Sequence, residues 1–206
     1  MGALPVGILM AAGRGRRFDP LGQRNKLLQA LPGGDPVVVA SARKLLAVLP
    51  SVIAVVPPDD GGVAAQLAAL GCDVTVCPDA DKGMAASLVH AIRHSLLNSR
   101  TAAHLPAHFP AHFPDAWLVA LGDMPHVAPA TLQALAAALA AGAPIAAPVM
   151  AGRRGNPVGF GRVHLDALLA LEGDQGARRL LQACPVTEVA VDDPGIFQDI
   201  DTPANL

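Results

Sequence analysis

Val6-Gly7-Ile8-Leu9-Met10-Ala11-Ala12-Gly13-Arg14-Gly15-Arg16-Arg17-Phe18-Asp19-Pro20-Leu21-Gly22-Gln23-Arg24-Asn25-Lys26 decides how this chain is read. It opens as an apolar run, Val6 to Ala11, which suits a strand covered on both faces. At Ala12-Gly13 the run breaks into a glycine-containing segment with Arg14, Arg16, Arg17, Arg24 and Lys26. Glycines let the backbone approach a ligand and turn its N–H groups inward, while Arg and Lys neutralise phosphate oxygens. A lone Gly-x-Gly reads better as a plain strand-to-helix connection whose arginines are solvated. Five cations within thirteen residues of a chain with net charge −2 favour a phosphate loop instead.

The rest of the composition narrows the class. A length of 206 residues suits one domain over 1–206, burying roughly 70% of its unfolded surface. Hydrophobic residues make up 52% and aromatics only 3%, with one Trp and no Tyr, so the core is aliphatic and stacking platforms for single strands are scarce. With a net charge of −2 and a pI near 6.4 there is no basic field to hold nucleic acid, and no nucleic-acid partner is expected. Cys72, Cys77 and Cys184 fit neither a zinc site nor a disulfide framework and read as buried, reduced thiols. No leader pattern opens the chain, and no apolar stretch reaches the roughly 18 residues that span a bilayer. No membrane partner and a cytoplasmic location are expected.

Taken onward, Pro36 to Leu49 has helical periodicity, and Ser51 to Val56 is a β-branched run stopped by Pro57-Pro58. Gly62 to Leu70 reads as a short helix, Asp73 to Val76 as a third strand, and Met84 to about Leu97 as a helix. The order β-α-β-α-β predicts right-handed crossovers in a parallel sheet. Gly83, at the start of a helix, reads equally as a packing position or as a place where amides meet a ligand. Ala-His-Leu-Pro, Ala-His-Phe-Pro, Ala-His-Phe-Pro fills Ala103 to Pro114, within an expected Pro/His insertion near 101–115. Its prolines exclude the helix that would set His104, His108 and His112 on one face, so an exposed insertion is expected rather than a metal site.

Ala116 to Leu121 is a further apolar strand that runs into Gly122-Asp123-Met124-Pro125. Asp123 stands where ligands of α/β sheets bind, and reads either as a turn cap or as a Mg²⁺ ligand. Pro129 to Ala141 suggests a helix and Ile145 to Val149 a strand. Gly152 to Phe160 reads as a second glycine- and arginine-containing loop, either an ordinary turn or a lip over a second substrate. Then come a helix over His164 to Leu171, another opened by Gly173 to Arg179 with Asp174 as its N-cap, and a strand over Thr187 to Val191. Alternation in Phe197 to Pro203 predicts a terminal strand with Asp199 and Asp201 facing one way, which calls for a cation or a hydrogen-bond network.

Together M-A-A-G-R-G-R-R-F…N-K-L, K-G-M-A-A-S-L, L-G-D-M-P, G-R-R-G-N-P-V-G-F, G-D-Q-G-A-R and D-I-D-T-P resemble the MobA-like nucleotidyltransferases that mature the molybdenum cofactor, and most closely the molybdenum cofactor cytidylyltransferases. The motifs run from Ile8 to Pro203 in the family's order. The resemblance implies a three-layer α/β/α sandwich on a mostly parallel sheet with one antiparallel strand. It implies an enzyme that moves CMP from CTP to the phosphate of the molybdenum-bearing pterin and releases pyrophosphate. The related guanylyltransferases usually have Ala-Gly-Gly where this chain has Ala11-Ala12-Gly13, which favours CTP over GTP. The family commonly has Gly after the Arg-(Met/Phe) pair, where this chain has Asp19, and the loop to Lys26 is longer.

Carried over by position, the resemblance implies that Gly13, Arg14 and Gly15 cradle the triphosphate while Arg17 and Lys26 balance its charge. Asp123 with Asp201 would hold Mg²⁺, with Asp199 a further candidate. Leu9, Ala11 and Ala12 would line the cytosine site, helped by the turn from Gly83 to Ser87. The acceptor would lie over Gly155-Asn156-Pro157, with Asp174 and Arg178 nearby. Implied partners are the nucleotide and pterin substrates and a molybdenum hydroxylase or its maturation chaperone. Two other readings remain: transfer to another phosphorylated acceptor, guanylyl or sugar-phosphate chemistry included, and a non-catalytic carrier of molybdenum cofactor. Against the carrier, paired metal ligands serve no purpose in simple carriage.

Overall fold

The computed structural model describes residues 2–13, 15, 17–19, 21, 23–98, 114–173 and 176–206. The Pro/His repeat up to residue 113, Arg14 and Asp174 lie outside them. The elements in chain order are β1 (Val6–Met10), α1 (Val37–Leu46), β2 (Val52–Val56), α2 (Val63–Ala69), β3 (Asp73–Val76), α3 (Met84–Asn98) and β4 (Ala116–Leu121), then α4 (Pro129–Ala140), β5 (Ile145–Met150), β6 (Arg153–Arg154), β7 (Val158–Gly161), α5 (Leu165–Leu169), α6 (Arg178–Ala183) and β8 (Thr187–Ala190).

One sheet runs in the order β3-β2-β1-β4-β7-β5-β6, with β8 paired to β5. Strands β3, β2, β1 and β4 are mutually parallel, and β7 lies antiparallel between β4 and β5. Successive side chains of a strand point to opposite faces, so a strand apolar throughout serves two cores. In β1, Leu9 packs with Val38, Leu45 and Leu135 of α1 and α4, whereas Ile8 packs with Leu88 and Ile92 of α3. Helices α1, α2 and α4 thus cover one face and α3, α5 and α6 the other, giving three layers. Trp117 is fully buried in the second core, where its indole N–H donates to the Ser95 hydroxyl at 2.9 Å. Cys72 and Cys77 are buried, Cys184 is half-buried, and all three are free thiols.

Two expectations are corrected. Gly152 to Phe160 does not remain a loop: it forms a short hairpin strand and then β7, whose fully buried Phe160 pairs with Trp117 and Ile145. Glycine and proline disguised that strand. Gly159 is needed there, because a Cβ would run into three side-chain atoms of Leu139 in α4. The predicted terminal strand over Phe197 to Pro203 does not form either: among the described residues it runs between two 3₁₀ turns, Pro194–Phe197 and Pro203–Asn205, and pairs with no strand. The segment is held by the Ile200 N–H, which donates to the Asp123 carbonyl at 2.8 Å, and by the Ile200 side chain, buried in the first core. Asp199 and Asp201 still share a side, because alternation needs only an extended backbone.

Candidate active site

The C-terminal ends of β1 and β4 are tied by the Gly122 N–H, which donates to the Met10 carbonyl at 2.9 Å. This bond sets Asp123 beside the loop that leaves β1. The loop returns at a 3₁₀ turn, Lys26–Leu28, whose cap is Asn25: its side chain accepts from the Leu27 N–H at 3.0 Å and donates to the Asp60 carbonyl at 3.1 Å. Lys26 therefore starts from a fixed point.

Only 8% of Lys26 is exposed, a degree of burial that a lysine tolerates only when paired. Its stem lies against Gly15, whose backbone has φ +59, and its ammonium donates to the Asp123 carboxylate. The same ammonium stands 3.5 Å from the Asp201 carboxylate, which the Arg17 guanidinium also meets, at 2.6 Å. Asp123 thus spends its carboxylate on Lys26 rather than on capping its own turn. Asp199 hydrogen-bonds Asp201; burial first, then that bond and the charges of Asp201 and Asp123, push its carboxyl above the ordinary value of 3.8.

A cavity of about 400 Å³ opens above this cluster. Ala12, Gly13, Lys26, Gly83, Ser87 and Asp123 line it. Gly83 holds φ 110 and ψ 177, a conformation that is essentially glycine's alone, so its backbone rather than close packing explains the residue. A second cavity, also about 400 Å³, is lined by Arg154, Gly155, Asn156, Phe160 and Arg178. Met10, Met84 and Leu121 contribute to both cavities and form the wall between them. Each is of the size of a small-molecule site.

The expected residues divide accordingly. Ala12, Gly13, Lys26, Gly83, Ser87 and Asp123 meet at the first cavity, and Gly155, Asn156 and Arg178 at the second. Leu9 and Ala11 line neither cavity: their side chains lie in the first core, and Met10, one residue out of phase with Leu9, faces the cavities. Pro157 is buried and turned to the far side, beside Ser41 and Lys44. Gly155 has a second reason to be glycine, since a Cβ would lie 2.6 Å from the Ile196 carbonyl. Sequence reasoning missed Met10, which strand parity identifies. Arg154, carried by the arginine-containing stretch read as a turn or a lip over a second substrate, does line the second cavity, and its guanidinium is held by Glu188 of β8 at 2.8 Å, a partner that no local signal marks.

The donor set suits a hard divalent cation. Two carboxylates already converge on one ammonium, and Mg²⁺ commonly takes one or two carboxylates and completes its shell with phosphate oxygens and water. Among the described residues no group of three or more His, Cys, Asp or Glu side chains is arranged to hold an ion on its own.

The family profile of the MobA-like NTP transferase domain matches residues 7–189. No curated protein is significantly similar to the chain. Among solved structures, Rv0371c from Mycobacterium tuberculosis H37Rv is similar with a TM-score of 0.77 at 28% identity, over 98% of this chain and 96% of that one. Rv0371c from the same organism in complex with manganese gives 0.73 at 27%, again over 98% and 96%. Molybdopterin-guanine dinucleotide biosynthesis protein A from Archaeoglobus fulgidus gives 0.66 at 19%, over 97% of this chain and 93% of that one, and shares the fold.

Proposed function

The chain belongs to the family of MobA-like NTP transferase domains, and from that premise we propose that it transfers CMP from CTP to the phosphate of molybdenum cofactor and releases pyrophosphate. The observation that carries this reading is the buried Lys26, which gathers Asp123 and Asp201 beside two adjoining cavities. Such a transfer needs positioning and charge neutralisation more than covalent chemistry. The first cavity takes the nucleotide. Ala12 carries a methyl group where the guanylyltransferases usually have none, and this favours the smaller pyrimidine. Gly13 and Gly15 bring backbone close to the phosphates, with Lys26 and Arg17 supplying positive charge against the negative charge that builds up on the leaving pyrophosphate. The second cavity takes the acceptor, with the Arg154 and Arg178 guanidiniums near its anionic group.

Asp123 and Asp201 would hold Mg²⁺, which when bound neutralises phosphate charge; the manganese in the Rv0371c complex supports a divalent ion in this role. The acceptor pterin is then the substrate that a molybdenum hydroxylase, or its maturation chaperone, receives after transfer. A cytoplasmic setting accords with that role, and among the described residues no helix is long and apolar enough to cross a membrane. The test is pyrophosphate release with CTP and with GTP, each with molybdenum cofactor, with a sugar phosphate in its place or with no acceptor, and with or without Mg²⁺. Turnover with CTP and cofactor only is expected. Turnover with GTP or with a sugar phosphate would move the chain to another acceptor or nucleotide, and pterin binding without any pyrophosphate would make it a carrier.

A further inference from the structure

Arg17 and Lys26 stand on opposite flanks of one loop, yet both reach Asp201. Asp19 lies between them and is only 8% exposed. One of its carboxylate oxygens accepts from the Leu21 N–H at 3.1 Å and the other from the Arg24 N–H at 2.7 Å. The Arg24 guanidinium is 4.0 Å from that second oxygen and lies over the buried Phe18 ring, 5.6 Å from its centroid. Toward the N-terminus, the Phe18 and Asp19 N–H groups both donate to the Gly15 carbonyl, and Gly15 supports the Lys26 stem. Toward the C-terminus, Arg24 leads directly into the Asn25 cap from which Lys26 starts.

An Asp that binds the amide two residues on is a common turn device. Here the same carboxylate also reaches five residues on, and so closes the loop whose two flanks carry the two cations. The Arg24 N–H bond, acting against burial, keeps this carboxyl below the ordinary value of 3.8, and it is therefore a carboxylate throughout the neutral range.

We propose that Asp19 is a positioning residue: it fastens the loop so that Arg17 and Lys26 meet at Asp201, and through them it sets the affinity for the nucleoside triphosphate. The proposal rests on the nucleotidyltransferase reading above. It also accounts for Asp19 where the family commonly has Gly, since a longer loop needs a fastening that a short one does not.

The test compares wild type with Asp19→Gly and Asp19→Asn. Calorimetric titration with CTP and Mg²⁺, steady-state pyrophosphate release, amide exchange at Leu21 and Arg24, and thermal melting are measured on each. In Asp19→Gly, CTP affinity is expected to fall about tenfold, equivalent to about 1.4 kcal/mol, and KM for CTP to rise in step. KM for the acceptor and the melting temperature hold, and both amides exchange faster. Asp19→Asn, which keeps one carbonyl oxygen, falls between. Equal CTP affinity in wild type and Asp19→Gly, or a common shift of both KM values with the melting temperature, overturns the proposal while nucleotidyl transfer stands. A wild-type protein that binds no nucleoside triphosphate overturns both.

Discussion

Lys26 carries the strongest residue-scale consequence, because a buried ammonium and its carboxylates depend on one another. Replacing Asp123 by Asn removes the negative charge that faces the Lys26 ammonium and, on the proposed function, a ligand of the cation. Turnover is expected to fall on the order of 100- to 1000-fold, with circular dichroism unchanged; near-normal pyrophosphate release in this variant would remove Asp123 from the site. Ala12→Gly tests the base. Restoring the space of one methyl group should shift the CTP-to-GTP ratio of kcat/KM toward GTP by roughly tenfold, and an unchanged ratio would place base selection elsewhere. Leu9 shows where reading residues one by one runs out. Its place in the motif implies a role beside the base, whereas the period of a strand puts Met10 on the cavity side and Leu9 in the core.

Helices and strands differ in how far their sequences betrayed them. β1, β2 and β4 were legible because they are continuous apolar runs, and the helix over α3 because its apolar face repeats at helical spacing. β7 was not, for its sequence Val158-Gly159-Phe160-Gly161 follows Asn156-Pro157 and looks like a turn. Only the approach of Leu139 from α4 explains Gly159, and that contact is invisible until the chain has folded. Gly159→Ala is therefore expected to lower stability by about 1–3 kcal/mol through overpacking, read as a lower urea midpoint with an unchanged slope. In α3, His90 bonds Thr75 of β3 at 2.9 Å. Burial first, then the charges of His94 and Arg93, holds His90 below the ordinary value of 6.5. The unfolded chain thus takes up this proton before the folded one does. Stability rises with pH from the folded value up to about 6.5 and levels off above it. His90→Gln should flatten that part of the profile; an identical slope in the variant would assign the dependence to other groups.

For the whole molecule, the proposed function makes stability depend on ligands at the two cavities. CTP at a hundredfold excess over its dissociation constant should stabilise the fold by about 2.7 kcal/mol, seen as a higher melting temperature. Chelation should abolish turnover while leaving the melting temperature of the ligand-free protein in place. A melting temperature that collapses on chelation would mean that the cation is structural. The layered sheet could be foreseen from the order of strands and helices, but not the way in which the last part of the chain completes the site. Where alternation predicts a strand, Asp199 and Asp201 are fixed instead by the hydrogen bond from Ile200 to Asp123, by the buried Ile200 side chain and by the pairing of Asp201 with Arg17 and Lys26. That stitch lies outside the sheet: Ile200 and Asp201 follow the last strand, β8, and take no part in the ladder. The framework and the aim of its charges are therefore separable, and a change at Ile200 would misdirect the Asp201 carboxylate while leaving every strand paired.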